Sequence, residues 1–166
     1  NGRFTTLNDI TISPSPIQKP RVPIWVAGRK DVAMKRVAKY GDGWMPYMYT
    51  PDMLADSMSK IADFSVEAGR PAGAVQGGLY IFTCVHESRD RALEMANEQL
   101  SKQYNQDFTK LVSKYTISGS PDDCIEQINA YRQAGAETII FAQGCPPDYV
   151  EANTRLIGES ILPAFA

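Results

Sequence analysis

The feature that most constrains the fold is an alternation between short apolar runs and longer segments with helical spacing. The run Val22–Ala27 is apolar at nearly every position, which is typical of a strand covered on both faces. Three further runs follow at Gly43–Tyr47, Gly78–Val85 and Thr138–Ala142, each separated by helical segments. Strict alternation of this kind predicts an α/β fold, with parallel strands joined by right-handed crossovers.

The helical segments carry start and stop signals. The predicted N-terminal caps are Asp31, Thr50, Ser88 and Ser120. Gly41 is expected to end the first helix in the left-handed conformation that glycine favours. A helical patch over 107–115 and a closing helix over 149–162 complete the pattern, which gives four strands and a long helical insertion.

Four β/α units are half of an eight-stranded barrel, which typically takes about 250 residues. We therefore expect one domain over residues 1–166, with 1–21 as an extended, proline-rich entry segment and 22–166 as the β/α units. The chain begins at Asn1 with no strong pattern before Lys19, so it is expected to come from the middle of a longer chain.

Composition excludes several classes of function. The formal net charge of -2, from 17 basic and 19 acidic side chains, provides no extended positive field for nucleic acid. No apolar run approaches the ~20 residues that span a bilayer, so we expect a soluble protein. Cys84, Cys124 and Cys145 lack metal or redox spacing, which predicts no metal site and a reducing, cytoplasmic setting.

Ligands of parallel α/β folds lie beyond the carboxyl ends of the strands. Gly28 follows the first strand there, before Arg29, Lys30 and the start of a helix. Glycine permits close backbone approach, and free amides with two cations suit a phosphate. A tight turn with two solvated cations explains the same residues equally well.

The end of the second strand is rich in aromatic and sulfur side chains, from Trp44 to Tyr49. Such side chains pack well against a flat ring, although ordinary core packing explains them too. His86, the only histidine, could act as an acid or base after the third strand, or be a polar loop residue. No Ser/His/Asp set or paired carboxylates accompany it, so hydrolase and metalloenzyme functions are disfavoured and no catalytic residue is assigned.

The order of several motifs resembles the second half of the bacterial luciferase-like monooxygenase family. These motifs are Ile17–Pro20, Val22–Gly28, Tyr40–Trp44, Glu67–Pro71, Gly119–Asp122 and Ala134–Ile140. The resemblance covers most of the chain and depends on the ordered set rather than on any single motif.

The resemblance implies the last four strands of a TIM-type (β/α)8 barrel that binds FMN or the deazaflavin coenzyme F420. It places Ala27, Gly28, Arg29 and Lys30 at the cofactor phosphate. Of the residues that would line the pocket beside it, Trp44 and Tyr47 are the chosen candidates. The family's first four strands, which supply much of the ring and substrate site, are absent from this sequence.

Two functions remain open. The first is a flavin- or deazaflavin-dependent oxidoreductase or monooxygenase of this class acting on a small-molecule substrate, with catalysis by this chain alone undecided. The second is a non-catalytic phosphate-ligand binding or assembly module. Because a half barrel leaves two strand edges unpaired, we also expect either a missing N-terminal half or self-association that restores closure.

Overall fold

The computed structural model describes residues 1–166 and contains five strands and six α-helices. The strands are β1 (Trp25–Val26), β2 (Gly43–Trp44), β3 (Gln76–Val85), β4 (Thr116–Gly119) and β5 (Thr138–Gln143). The helices are α1 (Asp31–Tyr40), α2 (Pro51–Glu67), α3 (Arg89–Tyr104), α4 (Val112–Tyr115), α5 (Pro121–Gln133) and α6 (Val150–Leu156). A π-helical turn (Ile157–Ile161) and a 3-10 turn (Leu162–Phe165) continue α6. None of the helices combines the length with the hydropathy of a membrane span.

All strand pairs are parallel, as the alternation predicted, and β3 is the centre of the sheet. Tyr80 of β3 pairs with Tyr47 on one side and Ile140 of β5 on the other, so β2 and β5 lie on opposite edges of β3. Phe82 pairs with both Thr116 of β4 and Ala142 of β5, which places β4 on the β2 edge, farther along. Along the first half of β3 the strand order is therefore β1-β2-β3-β5, and along its second half β4 lies where β2 ends.

The number of strands differs from the prediction of four. β4 was not predicted, and the helical patch expected over 107–115 forms a helix only over Val112–Tyr115. The second strand keeps two residues of the predicted Gly43–Tyr47, because Pro46 cannot donate to the ladder; an isolated bridge at Tyr47 follows.

The first strand and helix also depart from the prediction. Only Trp25–Val26 of the predicted strand pairs with β2, and Trp25 is partly exposed rather than covered on both faces. The cap of α1 is Lys30 rather than Asp31, and Gly41 is extended, not left-handed. The predicted caps Thr50, Ser88 and Ser120 are confirmed, each accepting a hydrogen bond from a backbone N–H of its helix.

Two hydrophobic clusters cover different parts of the sheet. The larger one lies between the outer face of the sheet and helices α1, α2 and α5, and includes Trp44, Leu79 and Ile117. The smaller one packs α3 and α4 on the other face, around Phe82 and Cys84, near the carboxyl end of β3. The rest of that second face, called the inner face below, is open to solvent.

Candidate functional site

An apolar cavity of about 360 Å³ lies on the inner face, at the end of β1 and β2. All six residues that line it are hydrophobic: Trp25, Val26, Ala27, Met45, Tyr47 and Tyr80. Cavities of roughly 300–1,000 Å³ with mostly apolar and aromatic walls are typical of small-molecule sites. The cavity has the size and chemistry to hold a flat aromatic ring.

The indole of Trp25 shapes the floor of this cavity because two glycines let it lie against the sheet. A Cβ on Gly43 would come within 2.4 Å of the indole, and one on Gly78 within 2.6 Å. Side chains at those two positions would therefore displace Trp25 from the sheet.

The turn after β1 carries the predicted phosphate-binding residues. Gly28 has φ +121, and a Cβ there would lie 2.8 Å from the Cβ of Ala33. Only glycine fits this turn without strain. The turn directs Arg29 toward the cavity, where its guanidinium carbon lies 5.5 Å from the centre of the Tyr47 ring, a cation–π contact.

The N-terminus of α1 opens beside Arg29. Lys30 is exposed and extended, and its side chain makes no capping hydrogen bond, whereas its carbonyl accepts from the N–H groups of Ala33 and Met34. The N–H groups of Asp31 and Val32 have no partner within the chain. Two unpaired amides and two cations attract an anion, while the exposed Asp31 carboxylate opposes it.

Trp44, which the resemblance placed beside the cofactor, does not line the cavity, because its side chain points to the other face of the sheet. It is fully buried, and its Nε1 donates to the carbonyl of Gly28 at 2.8 Å. Tyr49 packs edge-on against it at 5.5 Å and donates to the carbonyl of Arg29 at 3.5 Å. Both residues hold the turn from behind, whereas Ala27 and Tyr47 do line the cavity.

Aromatic side chains continue from the cavity toward α3. Phe82 contacts both Tyr80 and Tyr104 edge-on, with ring centroids 6.1 Å apart in each pair. Burial, with smaller contributions from Tyr47 and Tyr80, raises the pKa of Tyr104. No local pattern points to Tyr104, because its position depends on how the insertion folds back over the sheet.

His86 and the cysteines take structural roles. The Nδ1 of His86 accepts from the N–H of Ser88 at 2.9 Å, within the turn that begins α3. All three cysteines are buried, and burial raises the pKa of the Cys124 thiol to about 12.

Asn153 of α6, which sequence reasoning missed, joins the ends of β3 and β5. Its side chain is fully buried, accepts from the N–H of Val85 at 2.7 Å, and donates to the carbonyl of Thr83 and to Gln143. A polar residue amid the apolar positions of the closing helix was the available signal.

Comparison with known proteins gives concordant matches. A family model described as luciferase-like monooxygenase matches residues 1–138. The F420-dependent glucose-6-phosphate dehydrogenase of Microbacterium testaceum is 26% identical over 98% of this chain and 53% of its own length. The chain spans about half the length of the curated relatives it matches.

Solved structures share the fold over the whole chain. The coenzyme F420 dependent tetrahydromethanopterin reductase from Methanopyrus kandleri aligns with TM-score 0.81 and 16% identity, over 100% of this chain and 57% of its own. Monooxygenase RslO1 from Streptomyces bottropensis aligns with TM-score 0.76 and 21% identity, over 100% of this chain and 55% of its own.

Proposed function

We propose, from the premise that this chain belongs to the luciferase-like monooxygenase family, that it takes part in flavin- or deazaflavin-dependent oxidation of a small molecule. The family match confirms the resemblance drawn from the ordered motifs. We further propose that residues 22–166 correspond to the last four β/α units of a (β/α)8 barrel, with β4 as an addition to the third of them.

The observation that supports this proposal best is the position of Arg29 at the edge of the apolar cavity. FMN and coenzyme F420 share a flat tricyclic ring and a ribityl chain that ends in a phosphate. The cavity walls of Trp25, Tyr47 and Tyr80 suit the ring, and the Gly28–Arg29 turn with the open N-terminus of α1 suits the phosphate. Ring and phosphate subsites thus adjoin one another on this chain.

The bound cofactor would supply the hydride or oxygen chemistry, and the protein would orient it. All six lining residues are hydrophobic, so the cavity would offer the ring an apolar surface on one side. Arg29, whose planar guanidinium suits a phosphate, would fix one end of the cofactor.

We propose F420 as the first candidate cofactor. The support is the name of the Microbacterium relative, which matches almost the whole chain. FMN is the second candidate, supported by the monooxygenase description of the family model.

Fluorescence titration of the chain with F420 and with FMN tests the proposal. Arg29→Ala should weaken binding of the preferred cofactor roughly tenfold, since a charge-assisted hydrogen bond contributes about 1.5 kcal/mol. Arg36→Ala is the matched control, because Arg36 is exposed on α1 and outside the cavity. Its affinity should equal that of the unmodified chain.

Riboflavin, which lacks the phosphate of FMN, isolates the role of Arg29. Its affinity should be the same for the unmodified chain and for Arg29→Ala. An equal loss for FMN and riboflavin would contradict a phosphate contact. Binding of inorganic phosphate with no binding of either cofactor would favour the phosphate-ligand module instead.

A further inference from the structure

We propose that Trp44 is a positioning residue for the turn after β1, and that its indole N–H sets the affinity of this turn for a phosphate group. This role rests on the proposed function, because it concerns the same phosphate subsite. Trp44 would act from behind the turn, since its side chain is fully buried and does not line the cavity.

The indole of Trp44 has a fixed place in the fold. It belongs to the larger hydrophobic cluster, between the sheet and the helices of the outer face. Tyr49 packs edge-on against it, with 5.5 Å between the ring centroids. A buried indole N–H needs an acceptor, and the carbonyl of Gly28 serves as that acceptor at 2.8 Å. The hydrogen bond therefore ties the turn to a well-packed part of the core.

This hydrogen bond fixes the orientation of the peptide between Gly28 and Arg29. The peptide is planar and trans, so its C=O and its N–H point in opposite directions. Because the carbonyl of Gly28 points to Trp44, the N–H of Arg29 points away from the outer face of the sheet. The next peptide repeats this arrangement more weakly, since Tyr49 donates to the carbonyl of Arg29 at 3.5 Å.

Four successive N–H groups in the turn are left for a ligand. Those of Arg29, Lys30, Asp31 and Val32 have no acceptor within the chain. The carbonyls of Gly28, Arg29 and Lys30, by contrast, all accept hydrogen bonds from the protein. Successive free N–H groups in a turn commonly bind anions in proteins. The direction of the first of these peptides therefore contributes to the affinity of the whole turn.

Glycine makes the direction of this peptide depend on Trp44. Gly28 has φ +121, and a residue without a Cβ can rotate its peptide groups more freely than any other. A rotated peptide would direct the carbonyl oxygen of Gly28 at the anion in place of the N–H of Arg29. The indole N–H selects between the two orientations, because it can bond only to the carbonyl.

A second contact holds the same turn through Tyr49. Its hydroxyl, which donates to the carbonyl of Arg29, also accepts from the hydroxyl of Ser57 at 3.4 Å. Tyr131 of α5 donates to the backbone carbonyl of Tyr49 at 2.6 Å. Tyr49 is thus held at its side chain and at its backbone, and it provides a second, independent variant.

Titration with inorganic phosphate, followed by NMR of the backbone amides, tests the role of Trp44 without a cofactor. In the unmodified chain, phosphate should shift the amide signals of residues 29–32. Trp44→Phe removes the indole N–H but keeps an aromatic ring, so the affinity for phosphate should fall roughly five- to tenfold, the factor expected for one lost hydrogen bond. Ile61→Val is the matched control and should keep the affinity, because it removes one methylene group from the same cluster and no hydrogen bond.

Tyr49→Phe keeps the test decisive if Trp44→Phe does not fold. It removes the hydroxyl that donates to the carbonyl of Arg29 and should weaken phosphate binding roughly twofold, since that hydrogen bond is long. Tyr40→Phe, at an exposed tyrosine of α1, should have no effect. Unchanged phosphate affinity in every folded variant of Trp44 and Tyr49 would overturn the role, and so would amides that do not respond to phosphate in the unmodified chain.

Cofactor titrations separate positioning of the turn from a general loss of structure. Trp44→Phe should weaken FMN binding by the same factor as phosphate binding and leave riboflavin binding unchanged, whereas an equal loss for FMN and riboflavin would contradict positioning. A chain that binds phosphate at residues 29–32 and loses affinity in Trp44→Phe, yet binds neither FMN nor F420, would refute the proposed function and support the role of Trp44.

Discussion

Replacing Asn153 by leucine tests the arrangement at the strand ends most directly. The amide of Asn153 makes three hydrogen bonds in a fully buried position, two of them to the backbone of β3. Leucine branches at Cγ as asparagine does, although it is larger, and it cannot make any of these hydrogen bonds. The N–H of Val85 would lose its acceptor at 2.7 Å, whereas the carbonyl of Thr83 would lose one donor at 3.1 Å and keep the N–H of Gly144 at 3.0 Å.

The expected cost follows from those two backbone groups. Leaving the buried N–H of Val85 unsatisfied costs about 1–3 kcal/mol, and the loss of one of the two hydrogen bonds at the Thr83 carbonyl costs about 1 kcal/mol, so the total loss is about 2–4 kcal/mol. The gain from burying leucine offsets about 1 kcal/mol of it. We expect a net loss near 2 kcal/mol, a substantial part of the roughly 5–15 kcal/mol that stabilises a domain.

Urea unfolding followed by far-UV circular dichroism measures this loss, at one fixed protein concentration because association would shift the midpoint. With a slope of about 2 kcal/mol/M, the midpoint should fall by roughly 1 M. Asn129→Leu, on a partly exposed position of α5 with no side-chain hydrogen bond, should change stability by less than about 0.5 kcal/mol. A midpoint for Asn153→Leu equal to that of Asn129→Leu would refute the role of these hydrogen bonds.

Two further predictions concern the turn after β1 and the N-terminal end of the sheet. Gly28→Ala should destabilise the chain by about 1–3 kcal/mol in thermal unfolding, because Gly28 has a positive φ and the methyl group of Ala33 lies close to it. Gly158→Ala is the control and should not destabilise the chain, since a Cβ there meets nothing within 4 Å. Equal stabilities of the two variants would refute the strain at Gly28. Asp42 accepts hydrogen bonds from the Arg21 guanidinium and the N–H of Ile24, which lower its pKa to about 2. Because the folded pKa lies below the ordinary 3.8, this stabilisation is complete above that pH and is lost as the pH falls toward 2, so Asp42→Asn should flatten the acid side of a pH series of urea midpoints.

Most of the helices and the sheet class were predictable because their signals are local. Thr50, Ser88 and Ser120 each begin a helix by accepting a hydrogen bond from a residue three positions ahead, so a few neighbouring letters specify the start. Strand β4 was not predicted because its four residues include the polar Thr116 and Ser118, whose hydroxyl groups form a hydrogen bond of 2.8 Å inside the fold. That pairing satisfies two buried polar groups, which the apolar pattern alone does not reveal.

The candidate site was predictable in part. The turn residues Gly28 to Lys30 follow from the end of an apolar run, and Tyr47, which the resemblance placed beside the cofactor, lines the cavity. The orientation of the Trp44 side chain was not predictable because it depends on strand register, and Trp44 pairs with Gly77 so that its side chain lies on the outer face. Pro46, and Met48 with its φ of +50, then break the in-and-out alternation of side chains before Tyr49. The covering of the first strand was also beyond local pattern, since it depends on what lies across the β1 edge.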